Sequence, residues 1–468
     1  MQSLLRERRV SVLVMLGATA ALPGAAIHFF GGEELSLGGP VHFFGLAVSA
    51  GLASLAAVGL TIAGRNRGDG RAVLVGTAFS VMAALLAVHG LTTPGMLIGQ
   101  NGVVAFSGAT TLPIGAALLA LSAVPPAGER SGVRPLLWLQ AVLLVLVVTL
   151  GAVGVLVPDL VPGVPETNSP EAIALLAAGL VFFLTLGVRA SRTFLLTRRK
   201  ADFAVLAGIA LLGVALVPAL TLGPATLGWW LGHAFELVGL ALVGIPVALD
   251  LHRGAQSRPL AGDLGGGELV EAADVFLGPT VRVLLDRLAE KDAYTEGHTR
   301  RVALRTAQVG EELGLGPAHL RDLALGALLH DVGKLSVPDA ILQKPGALAE
   351  DEFAVIRRHP VWGRELVDEL GGFSPLVATL VLDHHERLDG AGYPRGLDGG
   401  QIGLETSILT VCDVYDALIT KRVYRDAWST ERALDLLRSE AGSGFDPDCV
   451  AALERVLERE GLAVAAAA

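Results

Sequence analysis

Eight long apolar runs in the first 250 residues constrain this chain more than any other feature. They lie near residues 10–30, 41–63, 72–91, 103–124, 135–157, 171–188, 202–221 and 226–249. Each is close to the ~20 residues that a helix needs to cross about 30 Å of hydrocarbon. A polytopic transmembrane helix bundle over residues 1–250 is therefore expected. The first run has the look of a secretory signal, but seven more follow it, so it reads as a retained anchor.

Loop charge gives an orientation. One set of loops holds Arg6, Arg8 and Arg9, then Arg65, Arg67 and Arg71, then Arg130 and Arg134, then Arg192, Arg198, Arg199 and Lys200, and finally Arg253 and Arg258. The alternate set, at 31–40, 92–102, 158–170 and 222–225, has no Lys or Arg but includes Glu33, Glu34, Asp159 and Glu166. Both ends of the eight-span domain are expected in the cytoplasm, making this a multi-pass protein of the cell inner membrane.

Most acidic residues fall after position 250, so the formal net charge of −10 belongs mainly to the second part. That argues against a basic DNA- or RNA-binding surface. Cys412 and Cys449 lack metal-type spacing and read as reduced, buried thiols.

Four histidines, His28, His42, His89 and His233, fall in or beside the first, second, third and eighth apolar runs. The orientation above puts all four toward the outer face. Glu236 follows His233 by three residues, on the same helical face. Ionisable groups at membrane depth are costly and often functional, and imidazole is a common metal ligand. A shared metal, haem or proton-sensing site is one reading, and interfacial hydrogen bonding is the other.

Residues 251–275 are polar and glycine-rich and read as a linker. From Glu268 an apolar stripe through Val270, Val275, Leu277, Val281, Leu284, Leu285 and Leu288 reads as a helix. It belongs either to the core of the following domain or to a dimerising signal helix, which leaves a homodimer open.

Residues 276–468 show helical patterns near 298–313, 320–330, 351–370, 374–386, 405–420 and 430–439, with no convincing strands. The expectation is all-α throughout: the membrane bundle, then a helical domain with a site in its core. Three strings stand out there: His330-Asp331-Val332-Gly333-Lys334, His359-Pro360, and His384-His385-Glu386-Arg387-Leu388-Asp389-Gly390-Ala391-Gly392-Tyr393-Pro394. With His298 and Asp413 they supply a mixed imidazole and carboxylate set, which suits iron, manganese or similar ions better than a thiolate-preferring metal. Two close metal ions can neutralise a phosphodiester and lower the pKa of a water, so such a set fits phosphodiester hydrolysis.

From Phe276 to Leu462 these strings resemble the HD-GYP cyclic di-GMP phosphodiesterases. Further matches are Tyr294 to Val302, Pro338 to Gly346, Asp413 to Leu418, Arg422, Tyr424, Arg425 and Gly444 to Pro447. The resemblance implies two divalent transition metals on His330, Asp331, His359, His384, His385 and Asp413, with Asp331 bridging. It implies cyclic di-GMP as substrate, with linear pGpG and/or GMP as product. It gives Lys334 a catalytic and phosphate-contacting role, gives Arg422 and Arg425 the phosphates, and sets Tyr393 in the substrate-shaping turn. Some family members carry a glutamate where this chain has Tyr294, and that glutamate supports a third metal; two metals are expected here, with His298 a further candidate ligand. The alternatives are an inactive cyclic-dinucleotide receptor, for which a lost ligand would speak, and another HD-type nucleotide phosphohydrolase.

Overall fold

The computed structural model describes residues 2–94, 102–122, 133–157, 167–252, 269–270, 273–274, 277–292, 295–344, 346–421 and 426–462. Among these residues the regular structure is helical, with isolated bridges and no strand. Two compact units result: Val10–Asp263, and Leu264–Ala468 grouped with Met1–Arg9.

The first unit contains eight helices long and apolar enough to cross a membrane. They are α1 (Gln2–Phe30, of which the part from Val10 belongs to this unit), α2 (Gly39–Arg67), α3 (Gly70–Leu91), α4 (Gly102–Ser122), α5 (Arg134–Leu156), α6 (Pro170–Thr197), α7 (Lys200–Thr221) and α8 (Leu227–His252). Six of them close a ring: α2 packs on α3, α3 on α4, α4 on α6, α6 on α7, α7 on α8, and α8 back on α2. Helix α5 leans on α3 from outside. The interior is apolar, with Phe79, Leu86, Leu186, Leu206 and Leu212 almost fully buried. Local chemistry sets the boundaries. Gly68 takes a left-handed conformation to end α2, and the Asp69 carboxylate caps α3 by accepting from the amides of Arg71 and Ala72.

The outside of this unit is as apolar as its inside. Leu22, Trp138 and Leu156 are 81%, 73% and 79% exposed, and Phe29, Leu55, Val145 and Phe44 are exposed as well. Water would penalise so continuous an apolar surface, whereas lipid would not.

The second unit comprises α9 (Gly278–Lys291), α10 (Thr295–Glu312), α11 (Pro317–Leu329), a 3-10 turn (Val332–Ser336), α12 (Asp339–Leu342), α13 (Glu350–Ile356), α14 (His359–Leu370), α15 (Pro375–Asp383), α16 (Leu404–Ile419), α17 (Thr430–Ser439) and α18 (Pro447–Arg459). Helix α16 is the centre, packed by α10, α11, α15, α17 and α18. Leu269, Val270, Ala273 and Leu277 are buried, so apolar packing begins inside the stretch read from sequence as a linker. Three elements differ from expectation, the short α12 (Asp339–Leu342) among them. The helix expected over 351–370 breaks at Arg357 and Arg358, because His359-Pro360 opens a new helix. Helix α18 was not anticipated, although Asp446-Pro447 is a cap-and-start pair whose carboxylate accepts from the amides of Asp448 and Cys449. Cys412 and Cys449 are buried free thiols.

Two glycines bring the first two motifs together. A Cβ on Gly333 would lie 1.9 Å from the His359 carbonyl oxygen and 2.4 Å from the Gly363 nitrogen. Both obstacles are backbone and cannot rotate away. Gly333→Ala should therefore destabilise the second unit by at least the ~1–3 kcal/mol typical of overpacking. Denaturant unfolding of the purified chain would check this, and an unchanged midpoint would contradict the close approach.

Candidate metal centre

The site is assembled from helix ends. His330 closes α11 and Asp331 follows it. His359 opens α14, and His384 closes α15 with His385 next. Asp413 lies within α16 and His298 in the first turns of α10. Terminal helix carbonyls have no amide partner within the helix, and three of these imidazoles use one. His330 Nδ1 donates to the Ala327 carbonyl at 2.8 Å, His359 Nδ1 to Ile356 at 2.8 Å, and His384 Nδ1 to Val381 at 2.9 Å.

The consequence is chemical. A carbonyl oxygen only accepts, so each Nδ1 carries a proton, and whenever the ring is neutral its Nε2 is a lone pair. These lone pairs are turned on one another. His359 Nε2 and His384 Nε2 are 3.1 Å apart, and the buried His330 Nε2 has no hydrogen-bond partner. Facing acceptors in a dry interior are unfavourable unless something electron-poor sits between them. The residues therefore fit a metal centre.

Three overlapping groups bring their ligand atoms within 4.8 Å of one another: His359, His384 and His385; His298, His330 and Asp413; and His330, Asp331 and His384. Asp331 lies between the outer two groups. Its Oδ2 is 3.3 Å from His330 Nε2 and its Oδ1 is 3.4 Å from His359 Nε2.

Burial and charge act in opposition here. Burial alone would raise the Asp331 carboxyl, but Lys334 and His330 hold it well below the usual carboxylate range. Burial would likewise raise Asp413, and His298 and His330 instead keep it low. Burial would lower His330 too, but the Asp331 carboxylate raises it; burial wins for three other imidazoles, lowering His384 far below its usual value, His359 to about 4 and His385 to about 3. These rings are neutral at physiological pH and available as ligands. His298 goes the other way: burial would lower it, but the Asp413 and Asp416 carboxylates hold it at about 9.

Lys334 sits on the 3-10 turn rather than on a helix continuing from His330, and its Nζ reaches Asp331 Oδ2 at 2.7 Å. The third motif forms a turn against the site. Tyr393 lies over the His385 ring at 4.6 Å between centroids. The buried Glu386 carboxylate accepts from the amides of Arg395 at 2.6 Å and Leu397 at 2.9 Å, which pins the turn from behind. Gly392 is required, since a Cβ there would lie 2.5 Å from the Arg387 nitrogen and the Glu386 Cα. Arg422, Arg425 and Tyr294 lie outside the described residues.

Sequence reasoning missed two positioning residues. Asp416 Oδ2 accepts from His298 Nδ1 at 2.7 Å, and Arg301 forks onto the same carboxylate at 2.8 and 2.9 Å. This fixes His298 with its Nε2 3.1 Å from Asp413 Oδ1. The signal was present, because Asp416 is three residues from Asp413 on one face of α16.

Of the membrane histidines, His42, His89 and His233 bring their ligand atoms within 4.8 Å of one another. His28 does not join them. It is exposed on α1, with its ring edge-on to Phe29 at 5.0 Å. Similar depth on a helix was not enough, because α1 is not part of the helix ring.

Asp416→Asn should loosen His298 and, as is usual for partners that orient a ligand, lower metal affinity by about 10–100-fold. Metal titration of the purified variant checks this, and wild-type affinity would remove Asp416 from the account.

Residues 282–449 match the HD domain family. The chain is 44% identical over 179 residues to a cyclic di-GMP phosphodiesterase response regulator of Xanthomonas campestris, covering 37% of this chain and 47% of that protein. It is 41% identical over 184 residues to a 3'3'-cGAMP-specific phosphodiesterase of Vibrio cholerae, covering 39% and 40%. It is 40% identical over 176 residues to a cyclic di-GMP phosphodiesterase of Pseudomonas aeruginosa, covering 38% and 42%. The chain thus spans less than half the length of these curated relatives. The N-terminal region is helical and apolar, and the C-terminal region carries an HD domain of high similarity to HD-GYP cyclic di-GMP phosphodiesterases.

Proposed function

We propose that this chain is a membrane-anchored phosphodiesterase that opens cyclic di-GMP to linear pGpG and/or GMP, using two divalent transition metals, iron or manganese. The observation that carries the reading is the pair of three-residue ligand groups joined through Asp331. One metal would take His330, Asp413 and His298, the other His359, His384 and His385, with one Asp331 oxygen for each. When bound, such a pair neutralises phosphate oxygens and makes a water acidic enough to attack.

The chain's own residues supply the rest. The neutral imidazoles of His359, His384 and His385 offer fixed lone pairs, whereas His298, held at about 9 by Asp413 and Asp416, would release a proton on ligating. The ammonium of Lys334 is held at the rim by Asp331, with 19% of its side chain exposed. Burial would lower its pKa, but Asp331 raises it. A lysine that holds its proton this firmly acts as a phosphate contact, with its remaining N–H groups toward the substrate, rather than as an acid near pH 7. Tyr393, stacked on His385, gives the site an aromatic wall. Arg422 and Arg425 would grip phosphate with their fork geometry.

A second reading of the substrate, 3'3'-cGAMP, is favoured by the relative named for it. The two dinucleotides share the phosphodiester that the metal pair acts on and differ in one base. Competition between them in one assay decides the preference.

In this reading the first unit lies in the cell inner membrane, supported by its eight apolar helices, and the loop charges put both of its ends and the HD domain in the cytoplasm; the unit would regulate or localise the enzyme, as a homodimer if the helix following Glu268 pairs. Reporter fusions after Arg67, Arg130 and Arg199 should all signal cytoplasm, and fusions at Gly38 and Thr93 the opposite side. Any reversal would overturn the orientation.

Asp331→Ala should lose metal and hydrolysis together. Lys334→Ala should keep the metals and lose turnover. Metal analysis beside a cyclic di-GMP assay separates the two roles, and an emptied site in Lys334→Ala would refute the one given to Lys334. The difference in ion count between wild type and Asp331→Ala should be two rather than three, given Tyr294 in place of glutamate.

A further inference from the structure

The histidine cluster of the first unit has a geometry that hydrogen bonding alone does not satisfy. His42 comes from α2, His89 from α3 and His233 from α8, three neighbours in the helix ring. Their ring centroids are 5.0 Å apart for His42 and His89, 4.9 Å for His42 and His233, and 6.3 Å for His89 and His233.

Proton bookkeeping narrows the choices. His233 Nδ1 donates to the Trp229 carbonyl at 3.0 Å, and His89 Nδ1 to the Val104 carbonyl at 2.5 Å. In both neutral rings, therefore, Nε2 is a lone pair. His42 Nε2 lies 3.2 Å from His233 Nε2. A proton on His42 could fill that one gap. It would leave His89 Nε2, on a residue only 7% exposed, with no partner. A buried polar atom without a partner calls for an explanation. One cation ligated by all three rings satisfies the three Nε2 atoms at once.

The packing makes room for this. A Cβ on Gly108 would lie 2.8 Å from His89 Cε1, so α4 closes on the imidazole only because a glycine is there. The spacing also suits a metal. Bonds of about 2.0–2.1 Å in a tetrahedral arrangement put ligand nitrogens about 3.3 Å apart, close to the His42–His233 separation. The cluster borders a cavity of about 530 Å³, lined also by Trp229, Trp230 and Glu236. Ser36, Thr93, Thr167 and Pro224 line it too, and all four belong to the loops without Lys or Arg.

We propose that His42, His89 and His233 bind one divalent transition-metal ion, with a remaining coordination position turned to this cavity and open to water or a small electron-pair donor. Three imidazoles without a thiolate match the donor preference of zinc and its neighbours, and three protein ligands plus an open position is the arrangement of a reactive or sensing site rather than a closed structural one. The site is separate in sequence and chemistry from the HD centre and stands whether or not that centre hydrolyses cyclic di-GMP.

The test is a zinc count on the full chain in detergent or nanodiscs, loaded with Zn2+, desalted and analysed by mass spectrometry. Wild type should hold one ion per chain more than His42→Ala, His89→Ala or His233→Ala, and His28→Ala should match wild type. Equal counts in wild type and the three cluster variants would overturn the proposal. A second arm avoids any packing defect from those substitutions. The double variant Asp331→Ala/His384→Ala, altered only in the HD domain, should retain an ion whose X-ray absorption spectrum shows an imidazole shell. An ion-free double variant, or a retained ion without imidazole ligands, would overturn it as well.

Discussion

A carboxylate as buried as that of Asp331 must be surrounded by positive or electron-poor partners, because an isolated ion in a protein interior is costly. Most of the second unit can be understood as meeting that requirement. Lys334, His330 and His359 face Asp331 from three directions. For them to do so, the ends of α11 and α15 and the start of α14 must meet beside α16. Gly333 permits the closest of these approaches, and the helix-end carbonyls fix which nitrogen of each ring points inward. The arrangement is electrically awkward for the bare chain and well suited to metal ions, which is the sense in which fold and chemistry depend on one constraint.

Much of this was legible in the sequence. The clustering side chains His330, Asp331, His359, His384, His385 and Asp413 could be named from their motifs, since each motif also carries the local geometry that turns them inward. Helix-ending histidines followed by glycine, or opened by proline, are visible as letters. The partners that orient ligands across elements were not. Arg301, on the same helix as His298, meets Asp416 across 115 residues of sequence; the spacing of Asp416 from Asp413 marks a shared helix face, but nothing local shows which residues that face meets. The break before His359 and the helix after Asp446 were readable from proline placement but were outweighed by longer apolar patterns.

The membrane unit shows the same division. Hydropathy located eight helices because length and apolarity are properties of a single segment. The neighbour relations of those helices are not. His28 and His42 occupy similar depths by sequence, but only His42 lies on a helix of the closed ring, so only it reaches His89 and His233. Depth along a helix was legible, and azimuth around the bundle was not. The apolar exterior of this unit, with Leu22, Trp138 and Leu156 largely exposed, is consistent with lipid as its solvent.

The proposed function requires the HD domain to be a metal-dependent cyclic-dinucleotide hydrolase. The most direct measurement incubates the intact, manganese- or iron-loaded chain with cyclic di-GMP and follows the products by chromatography, before and after a chelator. The account predicts linear pGpG or GMP that stops forming when the metal is stripped and resumes on its return. Cyclic di-GMP that binds the loaded protein and is recovered intact would contradict it, leaving the centre a receptor.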